Sequence, residues 1–386
     1  MTSIIINAMR IGIDARAIYR NLDGIGRYSL NLIKALAKID RKNEYVIFRN
    51  RLFNETIVNS PNFREVRIGF PSLSLRTGFF LGHLVKKENV DIFHSLFFIA
   101  PLWGIDNLVV TVHDLMALNF PGFFSGRNFL ASKYAYLFHK YMIPRAVSLS
   151  KKLIAVSNNT RVDLERSFDL DAYRVSVIHE AADPIFQKIE DTETLETYRR
   201  KSALGGLPEN FILYVGNTKP YKNILTLLKA FKLFKAALDT DYSLVIAGKK
   251  DRFHQTTFQT AKELGLLPHI KFVDNFMEKE LPLLYNLAKL FVFPSYYEGF
   301  GLPPLEAISC GTPVIASNRA SLPEVLGESA ILIEPDDAEG FAKAMKDVLT
   351  DEDLRKQMSQ KGIKQSKKFS WEKTAKETLN VYEELQ

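Results

Sequence analysis

Two glutamates separated by seven residues, Glu298 and Glu306, lie in "YYEGFGLPPLEAISCGTP", directly after the apolar run "KLFVFPS". Glu298 sits on a turn flanked by Gly299 and Gly301, and two prolines follow. Proline is tolerated in the first helical turn, so the spacing predicts a helix starting at the prolines and ended by Gly311. Backbone N–H groups around Phe300, Gly301 and Leu302, at the positive end of that helix, suit an anionic or hydroxyl-rich ligand. Glu298 would accept hydrogen bonds from ligand hydroxyls, and Glu306, about one turn into the helix, would reach a second set. The bland alternative is a solvated loop with two surface acids. The flanking glycines and prolines argue against it.

A second stretch, "FILYVGNTKPYKN", ends a strand and delivers Asn217, Lys219 and Lys222 into a short loop. Lysines after a glycine turn suit the neutralisation of a diphosphate. "NLVVTVHDL" ends another strand with His113 and Asp114, and "DIFHS" places His94 similarly; for both histidines a satisfied structural role is the alternative. In "DGIGRY" a turn brings Gly24 and Gly26 before a helix, where backbone can approach a phosphate closely. As a dinucleotide fingerprint it fails, because Ser29 stands where a third glycine is required. Asp239-Thr240-Asp241 has the spacing of a divalent-metal motif, yet it precedes its strand "YSLVIAG" and reads as a turn. No metal site is expected, since the seven histidines show no ligand spacing with cysteine or one another.

Apart from the Gly24–Gly26 turn, which lies far from the strand "RIGIDAR", and the rejected Asp239–Asp241 pair, these candidates share one location, the carboxyl ends of strands, where open parallel sheets bind ligands. Short β-branched and aromatic runs alternate with helical stretches, the pattern of parallel α/β architecture. The first half carries "RIGIDAR", "EYVIFRN", "VDIFHSL", "NLVVTVHD", "KKLIAVS" and "RVSVIHE". The second carries "FILYVGN", "YSLVIAG", "HIKFVDN", "KLFVFPS", "TPVIASN" and "AILIEP". A polar stretch between them predicts a hinge near residues 187–208. The expected division is 10–190, 205–369 and a C-terminal helix, 370–386, capped by Ser370 and returning to the first domain.

Composition agrees with a globular protein: 46% apolar and 25% charged residues over 386 positions. The single cysteine, Cys310, excludes an internal disulfide framework and fits a reducing, cytoplasmic setting; before Gly311 it reads as a packed small hydrophobe. The best apolar run, "SLFFIAPLWGI", has 11 residues, short of the roughly 20 needed to span a bilayer. A net charge of +7 favours anionic partners, without any nucleic-acid-binding motif. The stretch "FPGFFSGRNFLASKYAYLFHKYMIPRA" is aromatic, basic and free of acids, which predicts peripheral contact with the inner face of an anionic membrane.

Taken together, "GIGRY", the "HD" pair, "AVSNNTRVDL", "YVGNTKPYKN" and "YYEGFGLPPLEAISCGTPVIAS" resemble glycosyltransferase family 4 over nearly the whole chain. The Glu-x7-Glu spacing is the most specific element, and bacterial O-antigen and polysaccharide mannosyltransferases look most similar. The resemblance implies the GT-B fold of two facing Rossmann-like domains. It also implies a nucleoside-diphosphate sugar donor (GDP-mannose as the first candidate), a saccharide or lipid-linked acceptor, and transfer with retention, without metal or cofactor. By the same resemblance Glu298 faces the donor hexose, and Phe300, Gly301 and Leu302 bind sugar and phosphate through backbone. Glu306 would bind ribose, Lys222 the leaving diphosphate, and His113 would lie near the reacting sugar, with Gly24 and Gly26 as the phosphate-approaching turn. Where the family usually has arginine this chain has Asn217, and Lys219 is the candidate substitute. The rivals are a non-catalytic nucleotide-sugar-binding protein, which would not need His113, and a nicotinamide dehydrogenase, which would need an intact glycine fingerprint.

Overall fold

A computed structural model of the chain describes residues 8–19, 24–120, 129–201, 206–274 and 276–386. The chain divides into two compact units. The first runs to Glu180 and takes back Ser370–Gln386; the second is Ala181–Phe369.

In the first unit seven strands, β1 (Arg10–Asp14), β2 (Glu44–Asn50), β3 (Phe63–Ile68), β4 (Ile92–Ser95), β5 (Leu108–Val112), β6 (Lys152–Ala155) and β7 (Val175–Val177), lie in the order 3-2-1-4-5-6-7. Every pairing is parallel. β5 is buried at all five positions, as expected of a strand covered on both faces. β3 was not anticipated. Its sequence, "FREVRI", carries three charges among six residues and occupies the sheet edge, where one side needs no apolar cover.

The second unit repeats the plan with six parallel strands: β8 (Phe211–Val215), β9 (Ser243–Ala247), β10 (Ile270–Val273), β11 (Leu290–Phe293), β12 (Val314–Ser317) and β13 (Ala330–Ile333). Their order is 10-9-8-11-12-13, the Rossmann order, and all six fall on runs expected from the sequence. The order reverses between β8 and β11, so the turns following these two strands border a crevice suited to a ligand.

The anticipated division needs one correction. Residues 181–190 belong to the second unit, tied there by Asn286, which accepts from the Ile189 N–H (2.7 Å) and donates to the Gln187 carbonyl (3.0 Å). The polar stretch beyond them is no open hinge, since it contains the helix Thr192–Lys201. The C-terminal helix, Trp371–Glu383, packs on the helix Gly24–Ile39 of the first unit. Ser370 begins it with an extended backbone and a side chain accepting from the Lys373 N–H. Thr374 donates to the His179 carbonyl (2.7 Å), fixing the helix beside the end of β7.

Candidate active site

In the second unit the turns after β8 and β11 meet through backbone and one asparagine. Asn223 adopts φ 56°, ψ 38°, which its short polar side chain tolerates, and its amide donates to the carbonyls of Pro294 and Pro335. The Tyr296 N–H donates to the Tyr221 carbonyl at 2.8 Å. These bonds bring Lys222 opposite Glu298, with Nζ 2.7 Å from Oε1 and both side chains about nine-tenths buried. The ammonium also stands 5.0 Å from the Phe293 ring centroid and 5.3 Å from that of Tyr221, within cation–π range. The lysine and the carboxylate expected to meet diphosphate and sugar thus pair with each other.

The helix after the turn spans Leu302–Ser309, beginning one residue ahead of the prolines. Gly301 starts it at φ 104°, and a Cβ there would meet Leu322 at 2.8 Å, so glycine is required twice over. Ser321 donates to the carbonyls of Glu298 (3.0 Å) and Phe300 (2.7 Å), fixing the carbonyl side of the turn. Phe300 itself is buried edge-on against Phe369 at 5.6 Å. Glu306 is only 2% exposed and accepts from the Tyr285 hydroxyl at 2.9 Å. Gly311, at φ 78°, ends the helix as expected. Cys310 is buried, and burial together with the Glu306 charge pushes its thiol up, away from nucleophilic use.

Asn217 and Lys219 serve the turn itself. The Asn217 carbonyl accepts from the Tyr214 hydroxyl (2.7 Å), and its side chain accepts from the Lys219 N–H (3.2 Å). Lys219 lines a cavity of about 290 Å³ with Thr218, Phe253, Thr256 and Tyr296. Neither Lys222 nor Glu298 borders that cavity. Asp241 accepts from Asn210 (2.9 Å) before β9, at the amino end of the sheet and away from this turn.

In the first unit His113 follows β5 and is buried. Its Nδ1 lies 2.8 Å from Glu180 Oε1 and its Nε2 3.0 Å from the Leu96 carbonyl. Burial alone would lower its pKa. The Glu180 hydrogen bond and charge, the Leu96 carbonyl and Asp114 outweigh that and hold it above the ordinary histidine value. His94, at the end of β4, meets the opposite fate. It is fully buried between the Tyr382 hydroxyl (2.6 Å) and Thr111 Oγ1 (2.8 Å), both neutral partners, and burial with the nearby His113 pushes it down to about 3. His94 is therefore a structural group. Gly24 and Gly26 form the first turn of the helix Gly24–Ile39 rather than a turn ahead of it. A Cβ at Gly24 would meet nothing within 4 Å, so backbone there is approachable.

Four residues with positioning roles were not singled out from the sequence: Glu180, Asn223, Tyr285 and Ser321. Asn223 alone carried a local signal, as an asparagine between a turn and a helix.

Two family models match the chain: "Glycosyltransferase Family 4" over residues 22–185 and "Glycosyl transferases group 1" over residues 196–365. The O-antigen chain mannosyltransferase B of Escherichia coli is 28% identical over 98% of this chain and its own full length. The O-antigen chain mannosyltransferase RfbU of Salmonella typhimurium is 27% identical over 69% of this chain and 67% of its own. Among solved structures, a sucrose-phosphate synthase from Thermosynechococcus elongatus superposes with a TM-score of 0.76 at 21% identity, covering 98% of this chain and 99% of that one. The fold is GT-B, with two Rossmann-like units, and the chain belongs to glycosyltransferase family 4.

Proposed function

We propose that this glycosyltransferase transfers mannose, with retention, from GDP-mannose to a saccharide or lipid-linked acceptor in cell-surface polysaccharide synthesis. The observation that carries the reading is the Lys222–Glu298 pair at the β8/β11 crevice, beside the helix begun by Gly301. Two relatives that are O-antigen chain mannosyltransferases by name support mannose and O-antigen. As the bond from sugar to phosphate breaks, negative charge grows on the diphosphate and positive charge on the sugar ring. An ammonium has three N–H donors, so Lys222 can meet a phosphate oxygen while Glu298 orients it or turns to the sugar. Glu306 and Tyr285 supply the ribose end. Lys222 and the helix N-terminus provide positive charge where other transferases use a divalent cation, so activity is expected to survive chelation. Incubating the protein with GDP-mannose, UDP-glucose and other nucleotide sugars, with and without chelator, tests this; turnover restricted to a non-mannosyl donor or abolished by chelator overturns it.

The partner reading includes an anionic membrane. Residues 121–128 of the aromatic-basic stretch lie outside the described residues, but its helical part, Phe129–Leu149, exposes Tyr134, Leu137 and Tyr141 beside Lys133, Lys140 and Arg145. A second helix, Leu75–Lys87, exposes Leu75, Phe79 and Phe80 and holds no acid. A Cβ at Gly78 would come within 3.3 Å of Met142, so the two helices are neighbours. Among the described residues no helix is long and apolar enough to cross a membrane. Contact would be peripheral, and co-sedimentation with vesicles of anionic lipid at low salt tests it.

A further inference from the structure

We infer that Glu180 is a positioning residue of the transfer reaction, holding His113 as a proton-bearing ion pair, so that His113 serves as a fixed charge rather than as a base. The argument begins with the two ring nitrogens. The Leu96 carbonyl can only accept, so the Nε2 facing it at 3.0 Å must carry hydrogen. Nδ1 faces a carboxylate oxygen at 2.8 Å. An ionised carboxylate also only accepts, so Nδ1 must carry hydrogen too, or Glu180 must be protonated. In both cases the pair holds one proton more than a neutral imidazole beside a carboxylate. Removing that proton leaves two lone pairs facing each other at one of the contacts.

The surroundings reinforce this. Glu180 is 4% exposed, so its charge is poorly screened. The Tyr28 ring stands edge-on to His113 at 4.7 Å, and burial raises its phenol far from ionisation, so Tyr28 contributes no charge. His94 is kept neutral by burial and adds no repulsion at neutral pH. Asp114 adds a second negative charge on the chain beside His113. Thr160 donates to the His113 carbonyl at 3.1 Å, anchoring the backbone from a third element. The ring is thus held between the segments following β4 and β7 and its backbone by the helix Asn158–Ser167, with Glu180 setting the proton on Nδ1.

This inference rests on the reading that His113 lies at the reacting sugar, and the test separates the two. Nitrogen-15 NMR of the histidines in the full chain, with His113→Asn to assign the signal, reports the proton directly. His113 is expected as an imidazolium at neutral pH, and its titration should move to lower pH in Glu180→Gln. In steady-state assays Glu180→Gln should lower kcat by roughly tenfold or more. It should shift the alkaline limb of the pH profile the same way and leave KM for nucleotide sugar nearly unchanged, with Glu180→Asp recovering part of the loss. A His113 titration identical in both proteins overturns the pairing. An NMR shift without any change in kcat or pH profile overturns the role in transfer. Should His113→Asn itself keep full kcat, the placement of His113 at the sugar fails, whatever the NMR shows of Glu180.

Discussion

Among the described residues each unit holds a buried cation–carboxylate pair beside its candidate site at the ends of parallel strands, and the first unit also buries Arg16 against Asp14 at the end of β1. Lys222 meets Glu298 at 2.7 Å in the second, and His113 meets Glu180 at 2.8 Å in the first. The distances match but the chemistry differs. Lysine stays charged across the physiological range and keeps a mobile donor on a flexible stem, whereas histidine changes charge near neutrality and has only two ring nitrogens. Both of those nitrogens are committed within the protein. The second unit's pair therefore suits exchange with a charged ligand, and the first unit's pair suits a fixed, pH-sensitive element.

The largest effect expected from this comparison is at Lys222. Lys222→Ala should lower kcat by roughly 10²–10³-fold through lost stabilisation of developing charge. It should also cost about 3–5 kcal/mol of stability by stranding a buried carboxylate. Steady-state assays and denaturant titration measure both, and an undiminished kcat would end the reading of this pair as the leaving-group site.

Next come the two glutamates. Glu298→Gln should lower kcat by roughly 10²-fold while preserving affinity for free nucleoside diphosphate. Glu306→Ala should weaken that affinity by about 1–3 kcal/mol, because its contacts exist in ground and transition states alike. Calorimetric titration beside kinetics decides; the reverse pattern breaks this division of labour.

A third prediction sharpens the contrast within the first unit. His94 is pushed down to about 3 from an ordinary value of 6.5, so its unfolded form binds a proton that the folded form refuses. Stability from this site is full above the ordinary value and lost as pH falls toward 3, by on the order of a few kcal/mol. His113 has the opposite sign. Its folded value is raised, so its contribution is full below the ordinary value and lost as pH climbs through the folded one. Trp103 and Trp371, the only tryptophans, both lie in the first unit, so fluorescence-detected urea unfolding reports it alone. The acid-side loss should flatten in His94→Gln; an equal slope would show that His94 does not set it. The smallest effect is expected for Tyr285→Phe in the second unit, about 1–3 kcal/mol from leaving buried Glu306 without that hydroxyl, read from urea unfolding followed by circular dichroism.

The second unit was far more legible in the sequence than the first. Its six strands are short, mostly apolar runs, and its site residues sit in compact motifs whose glycines and prolines announce the turn. β3 escaped notice because an edge strand with Arg64, Glu65 and Arg67 lacks an apolar signature. Glu180 escaped because a glutamate after a short strand carries no local mark of a partner. His94 and His113 looked alike for the same reason: each ends a strand, and only the facing groups, two hydroxyls in one case and a carboxylate in the other, separate neutral from charged.

What the sequence determined by itself is what short-range sterics and periodicity control. Apolar runs became strands, Gly301 took the positive φ that starts the helix Leu302–Ser309, and Ser370 capped the last helix. What only the tertiary structure decided are the pairs. Glu180 and His113 are 67 residues apart and Lys222 and Glu298 are 76 apart. Parallel strands are joined by long crossovers, so the residues meeting at a sheet's carboxyl end come from distant stretches of chain. Strand order, which no local pattern encodes, chose the partner of each carboxylate.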